Sequence, residues 1–395
     1  MNTHPFTSRR TRTRVIALAL ASATVVAACG GGGDDEEAAP TTTVAATTTT
    51  AERSSAASTT TGATTTTAPA TTTTAVPVPT APLTGLPQTV EAYLNRPALV
   101  VKIDNHSNAS PQTGLNQADI VYEEEVEGIS RFAAVFQSTD ATWSEDNPEL
   151  AVVGPIRSAR TTDIDIMAGL SRPLLAWSGG NNGVVRAVNG AQDNGELTDV
   201  GYSRFSKEGG WFRDRSRSAP HNLYANMRAI YSLAPTDQGP PAPVFEYRGP
   251  ADTLAGEDAL GVKVKIDGTQ VQWQWDVDSQ AWLRFQNGGP HEDSNDQVIN
   301  PANVVVMFVD YQGSSAAASS PEAITVGEGE VWVFTGGKLI RGTWKRDDRL
   351  KPATLTDEAG NPIKLTPGRT WVELPRPGGA NVIPAGADPD SVDFP

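Results

Sequence analysis

Cysteine occurs once in the 395 residues, at Cys29. A single thiol excludes a disulfide framework and any multi-cysteine zinc or iron–sulfur centre. Basic charge is also scarce, with 31 Lys and Arg against 46 Asp and Glu for a net −15. Removing Arg9, Arg10, Arg12 and Arg14 with an N-terminal signal would take this to −15 − 4 = −19. A chain of that sign lacks the basic face that replaces phosphate counterions, which argues against a nucleic-acid partner. Familiar catalytic signatures are missing as well. There is no Gly-x-Ser-x-Gly elbow, no His-Glu-x-x-His, no phosphate-binding Gly-x-x-x-x-Gly-Lys-Ser/Thr loop and no EF-hand loop. Outside the first 29 residues only His106, His221 and His291 remain. They are too scattered to read as a metal site, and no cofactor is expected.

What is present begins with a targeting pattern. Arg9-Arg10-Thr11-Arg12-Thr13-Arg14 leads into the apolar run Val15 to Ala28, a basic n-region followed by a short h-region. That run is too short to span a hydrocarbon core of ~30 Å as a helix. Val26-Ala27-Ala28-Cys29 resembles a bacterial lipobox, in which the cysteine is acylated and becomes the mature N-terminus. Residues 1–29 are therefore expected to be a lipoprotein signal ending at a lipidated Cys29. The expected location is the outer face of a bacterial plasma membrane, with more than one acyl chain making the anchor stable. Residues 30–82 read as a disordered tether: Gly30 to Gly33, the acidic Asp34 to Glu37, then 19 Thr between residues 41 and 80. Such a tract has nothing to bury against the entropy of ordering. As a flexible coil it reaches roughly 40 Å, enough to lift a folded part into the cell wall.

Beyond the tether, β-rich and helical patterns alternate. Leu99 to Ile103, Asp119 to Val126, Ser130 to Gln137, Leu150 to Val153 and Leu174 to Trp177 read as strands, with a hairpin at Gly128. Thr161 to Leu170, Val184 to Val188 and Leu223 to Leu233 read as helices. The Pro- and Gly-rich stretch 234–243 is the best internal boundary, separating a mixed domain, 83–233, from a β-rich one, 244–375. In the second, Val271, Trp273 and Trp275 share one face by period-two alternation. Val331 to Phe334 turns at Gly336-Gly337 into Lys338 to Ile340. Trp332, Trp344 and Trp371 are expected as core or groove wall, and residues 376–395 as a flexible tail.

Several ordered motifs carry a family resemblance. They include Pro82-Leu83-Thr84-Gly85-Leu86-Pro87, Ile103-Asp104-Asn105-His106, Pro111-Gln112-Thr113-Gly114-Leu115 and Ala118 to Glu123. Arg131-Phe132, Gly154-Pro155-Ile156-Arg157-Ser158-Ala159-Arg160 and Ala219-Pro220-His221-Asn222-Leu223-Tyr224 extend the match. In the second half Gln286-Asn287-Gly288, Gly342-Thr343-Trp344 and Leu365 to Val372 continue it. Together they resemble the YerB-like family of bacterial lipoproteins over nearly all of residues 82–375. The segment Glu127-Gly128-Ile129 is one Gly short of that family's pattern, and 251–260 is an insert. The resemblance implies an α+β extracytoplasmic lipoprotein with a layered sheet-and-helix first domain, and the strand patterns above read the second as mainly antiparallel. It implies no mechanism, because the family is one of unknown function.

The densest polar constellation is Arg157-Ser158-Ala159-Arg160-Thr161-Thr162-Asp163, where a strand meets a helix. A helix N-terminus with two arginines three apart suits an anionic ligand. Alternatively, the arginines brace domain carboxylates such as Asp104 or Glu123 and a threonine caps the helix. Asp104-Asn105-His106 ends a buried strand, and Asp104 with Glu123 could form the carboxylate pair that glycoside hydrolysis requires. His221 could serve as a base or lock its turn. The candidates are thus Asp104, Glu123 and His221 for catalysis, and Arg157, Ser158, Arg160, Asn105, Arg131 and Asn222 for ligand binding. Two functional readings follow. One is a wall-facing binding protein whose domains form a cleft for an anionic envelope polymer or a protein partner. The other is an envelope glycan hydrolase or transferase using Asp104 and Glu123, with Arg157 and Arg160 holding the anionic group.

Overall fold

In chain order a short helix α1 (Glu91–Asn95) precedes strand β1 (Leu99–Ile103), the hairpin β2 (Ile120–Val126) and β3 (Ile129–Phe136), and β4 (Val152–Val153). Then come α2 (Thr161–Ala168), β5 (Leu174–Ala176), α3 (Asn182–Asp193), β6 (Thr198–Asp199), α4 (Tyr202–Phe205), β7 (Trp211–Arg213), β8 (Leu223–Asn226) and α5 (Met227–Tyr231). A run of strands follows: β9 (Glu246–Tyr247), β10 (Glu257–Ile266), β11 (Thr269–Asp276), β12 (Ala281–Gln286), β13 (Gly289–Pro290), β14 (Asn303–Met307), β15 (Tyr311–Ser314) and β16 (Ala317–Ala323). The chain closes with β17 (Gly327–Thr335), β18 (Lys338–Arg346), β19 (Thr354–Asp357), β20 (Lys364–Leu365), β21 (Thr370–Glu373) and β22 (Ala380–Pro384). These elements come from a computed structural model that describes residues 78–140 and 151–395. The signal sequence, Cys29 and the Thr-rich tract to residue 77 lie outside the described residues. Leu150 does too.

The sheet order is β18-β17-β14-β21-β2-β3-β1-β5-β6, with β19 on β18. It is mixed, because β21 lies parallel to both β14 and β2 and β5 parallel to β1 and β6. The antiparallel strands β22-β10-β11-β12-β13 continue from it through a short contact between β10 and β18. Strand alternation explains the layering. Along β1, Leu99, Val101 and Ile103 enter one core while Val100 enters the other. The first core packs the antiparallel strands over the mixed sheet through Val262, Val264, Trp273 and Trp282 against Phe132, Trp371 and Phe334. The second lies under the helices, where Ile164 and Met167 of α2 and Val184 and Val188 of α3 meet Val135, Val305 and Val333. The architecture is α+β, as the sequence indicated.

Local signals account for most elements. Asn181 caps α3, its side chain accepting from the amides of Gly183 and Val184 at 2.8 and 3.0 Å, which satisfies donors a helix start leaves open. The one-residue-short hairpin is a two-residue loop. Glu127 and Gly128 take φ of 44° and 94° between the paired Val126 and Ile129, the left-handed geometry that suits the strand twist.

Three expectations are corrected. Leu223 to Leu233 is not one helix but β8 followed by α5; β8 pairs with both β4 and β7, and that pairing overrides local helical periodicity. Residues 376–395 are not a frayed tail. Strand β22 pairs along β10, burying Ala380 and Ile383. Finally, β21 places a second-half strand directly beside first-half strand β2, so the two halves share one sheet where a cleft between them was expected.

Candidate functional site

Three segments that carry the family resemblance converge at the end of β1. The amide of Asp104 donates to the Pro155 carbonyl at 2.9 Å, that of Arg157 to Lys102 at 2.8 Å, and that of Ile156 to Leu223 at 2.6 Å. These backbone bonds bring residues 103–106, 154–160 and 219–223 together. At their meeting point Asp104 is fully buried. Its Oδ2 lies 2.7 Å from His221 Nδ1 and 3.1 Å from Arg157 Nε, and its Oδ1 accepts from the His106 amide at 3.2 Å. The rings of His106 and His221 stack with centroids 4.3 Å apart.

Hydrogen-bond partners assign the two imidazoles opposite tautomers. His221 Nδ1 faces a carboxylate and therefore donates to it, leaving Nε2 as the acceptor. His106 Nδ1 accepts from the amide of Asn108 at 3.1 Å, so its neutral ring carries the proton on Nε2. Among the described residues no protein atom engages Nε2 of either ring, or Nη1 or Nη2 of Arg157. Arg157 and both histidines are partly exposed. One buried carboxylate thus holds a guanidinium and an imidazole whose outer nitrogens face outward, with a second imidazole stacked beside them.

The loop before His221 is built to hold it. Arg217 donates to the carbonyls of Ala109 at 2.6 Å, Ser110 at 3.2 Å and Pro111 at 2.8 Å, clasping the turn that follows His106. Asn222 is buried and donates to the carbonyls of Asp214 and Arg217 while accepting from Arg213. It therefore positions the loop and does not face a ligand.

The other predicted residues are engaged elsewhere. Arg160 donates from Nε to Glu127 Oε1 at 3.0 Å and from Nη2 to Oε2 at 2.5 Å. Burial raises the Glu127 carboxyl, but the bonds from Arg160 and Ser320 outweigh it and hold the group below its ordinary value. Arg160 is thus a brace, one of the alternatives read from the sequence. Arg131 is buried, donates to the Ser158 carbonyl at 3.1 Å and is pushed down to about 10 by burial, with repulsion from Arg160 adding to it. The N-terminus of α2 is covered. Thr161 Oγ1 meets Ser314 Oγ at 2.8 Å and Thr162 Oγ1 accepts from Ala323, both on the hairpin β15–β16. Below it, Lys102 binds Glu124 and, at 2.7 Å, Asp163, all three fully buried.

Glu123 does not join Asp104. It is fully buried between the two sheets, where Arg284 Nη2 donates to Oε1 at 2.9 Å and to Oε2 at 2.7 Å. Trp371 Nε1 donates to it at 3.1 Å, and Ser130 supplies a short fourth bond. Trp273 Nε1 donates to Glu373 at 2.7 Å; burial, then the charge of Glu123, drives that carboxyl well above its ordinary value. Asn105 belongs here as well, bonded to Ser130 at 2.8 Å and reciprocally to Gln286 at 3.0 Å. His291 closes the network. It receives a bond from Arg284, faces Gln112 at 2.9 Å, and burial with the nearby guanidinium holds it well below 6.5. This island of buried polar groups ties β2, β3 and β21 to β11 and β12. A sealed carboxylate with all its partners inside the protein cannot act as the second acid of a glycosidase.

Sequence reasoning passed over His106 and Arg217. Both stand beside chosen residues, but the signals that mark them, an amide on Nδ1 and three carbonyls around a guanidinium, exist only in three dimensions. Among the described residues no group of three His, Cys, Asp or Glu side chains could hold a metal ion.

Residues 83–239 match the family model "Protein of unknown function (DUF3048) N-terminal domain", and residues 262–372 match the C-terminal domain of the same family. The chain belongs to the DUF3048 family. A relative from Bacillus subtilis (strain 168), described as "Putative lipoprotein YerB", is 27% identical over 314 residues, covering 74% of this chain and 85% of the relative. The crystal structure of the YerB protein from Bacillus subtilis is similar with a TM-score of 0.63 and 23% identity, over 77% of this chain and 99% of that one. The YerB-like resemblance and the α+β fold read from the sequence agree with these findings.

Proposed function

We propose that this protein is a lipoprotein anchored through Cys29 to the outer face of a bacterial plasma membrane, projecting into the wall, and that it binds an anionic envelope ligand at the Asp104 cluster. One observation carries the ligand reading. Arg157 and His106 present donors to solvent from a rigid support. A planar guanidinium fork suits phosphate or carboxylate oxygens. Arg160 takes no part, because Glu127 occupies it.

The test is a thermal-shift titration of the full chain with sodium polyphosphate. Wild type should gain several degrees, since a ligand that binds only the folded state stabilises it by mass action. Arg157→Ala should lose that shift while keeping a near wild-type Tm in buffer. Arg160→Ala should melt lower and still shift. Loss of the shift in Arg160→Ala but not in Arg157→Ala would move the ligand to the helix terminus, and no shift in wild type would refute the anion site.

A further inference from the structure

The same cluster has the parts of an acid–base site. We propose that it hydrolyses phosphodiesters, with His221 as general base and Arg157 and His106 holding the phosphoryl oxygens. This rests on the anion-binding reading above and adds turnover to it. The stacked histidines differ in what they offer: His221 presents a lone pair at Nε2, fixed by Asp104 on Nδ1, and His106 presents an N–H at Nε2, fixed by the Asn108 amide. An acceptor beside a donor and a guanidinium fork is what attack on a charged phosphoryl group requires.

The substrate class follows from what is held and what is sealed away. Arg157 Nη1, Arg157 Nη2 and His106 Nε2 can donate to the two non-bridging oxygens of a diester, which bear its negative charge. A neutral carboxylic ester offers nothing comparable to bind. A glycosidic bond would need a second carboxylate in the site, and Glu123 is enclosed with Arg284, Trp371 and Ser130.

The step balances with water alone. The oxygen of water forms the new P–O bond while its proton passes to His221 Nε2. The P–O bond to the leaving alcohol breaks on the opposite side of phosphorus, its oxygen takes a proton from solvent, and the imidazolium releases one to solvent. The products are a phosphomonoester and an alcohol. Asp104 touches no reacting atom; it is a positioning residue that fixes the tautomer of His221 and stabilises its charged form.

The experiment uses the full chain and bis(4-nitrophenyl) phosphate, following nitrophenolate release, with the polyphosphate thermal shift run in parallel. Wild type is expected to turn over. His221→Gln should lower kcat/KM by on the order of 10²-fold while retaining the polyphosphate shift. Asp104→Asn should lower kcat/KM and change the tautomer of His221 read by nitrogen NMR, a change that mere loosening of the loop would not produce. Should His221→Gln fail to fold, His106→Gln is read instead, with an increase in KM expected because the Asp104–His221 pair is intact. Wild type that binds polyphosphate without turnover would overturn hydrolysis and leave binding standing. Wild type that neither binds nor turns over would overturn both, and turnover undiminished in His221→Gln would overturn the assignment of the base.

Discussion

Asp104 and Glu123 are both fully buried carboxylates on neighbouring parts of the sheet, yet their partners give them opposite uses. Asp104 holds groups whose far sides face solvent, whereas every partner of Glu123 is itself interior. Burial alone does not distinguish a working carboxylate from a structural one; the second face of each partner does. Glu124 shows a third outcome. Burial and then the charge of Asp163 raise its carboxyl to about 7 against the opposing pull of Lys102. A carboxyl raised on folding favours the protonated native state, so its stabilisation is complete below the ordinary value of 4.5 and is lost as pH rises through about 7. Glu124→Gln should therefore flatten the dependence of Tm on pH, with the variant gaining on wild type by a few degrees between about pH 5 and about pH 8. A parallel profile for the two proteins would show that Lys102 and Asp163 already satisfy the site.

At the scale of elements, β22 and the loop 213–222 matter most. Strand β22 covers the edge of β10 and inserts Ile383 into the interior with no exposed surface. Ile383→Ala should cost about 2–5 kcal/mol in chemical denaturation, the range for truncating a buried isoleucine. A change near zero would mean that the strand is dispensable, as an unpaired tail would be. The loop carries its structure in side chains. Arg217 and Asn222 satisfy backbone carbonyls that a longer secondary element would have paired, and this fixes where His221 stands. The hairpin β15–β16 plays the converse role by closing the start of α2, which removes the helix terminus from the candidate ligand site.

For the whole molecule, the mixed sheet with one antiparallel layer above it and helices below makes a single support for the Asp104 cluster. The polar island around Arg284 locks the layers in register. Aromatic rings flank that guanidinium, with Trp371 at 4.9 Å, Phe132 at 5.5 Å and Trp273 at 5.7 Å, so charge and packing reinforce each other there. If Cys29 carries the anchor proposed above, Cys29→Ala should leave the protein out of the membrane fraction and without incorporated labelled fatty acid, because two or more acyl chains make anchoring stable. Equal membrane retention of the variant would point to an uncleaved apolar segment instead.

The sequence by itself determined most strand and helix positions and the family, and it carries the apolar run before Cys29 and the Thr-rich tract on which the anchoring proposal rests. All of these are local or ordered patterns: an apolar run before Cys29, period-two alternation in β11, glycines at the β17–β18 turn. The pairing of Asp104 with His221 was not legible, because the two residues are 117 positions apart and no periodicity records which loops meet at a strand end. The enclosure of Glu123 by Arg284, 161 positions away, was hidden for the same reason. Alternating charges along β2 fit a half-exposed strand equally well until β21 and β12 supply the partners that bury them. Local patterning sets which residues face a common side, whereas only tertiary packing decides whether that side meets water or another layer of protein. For a carboxylate, that difference separates a brace from a site.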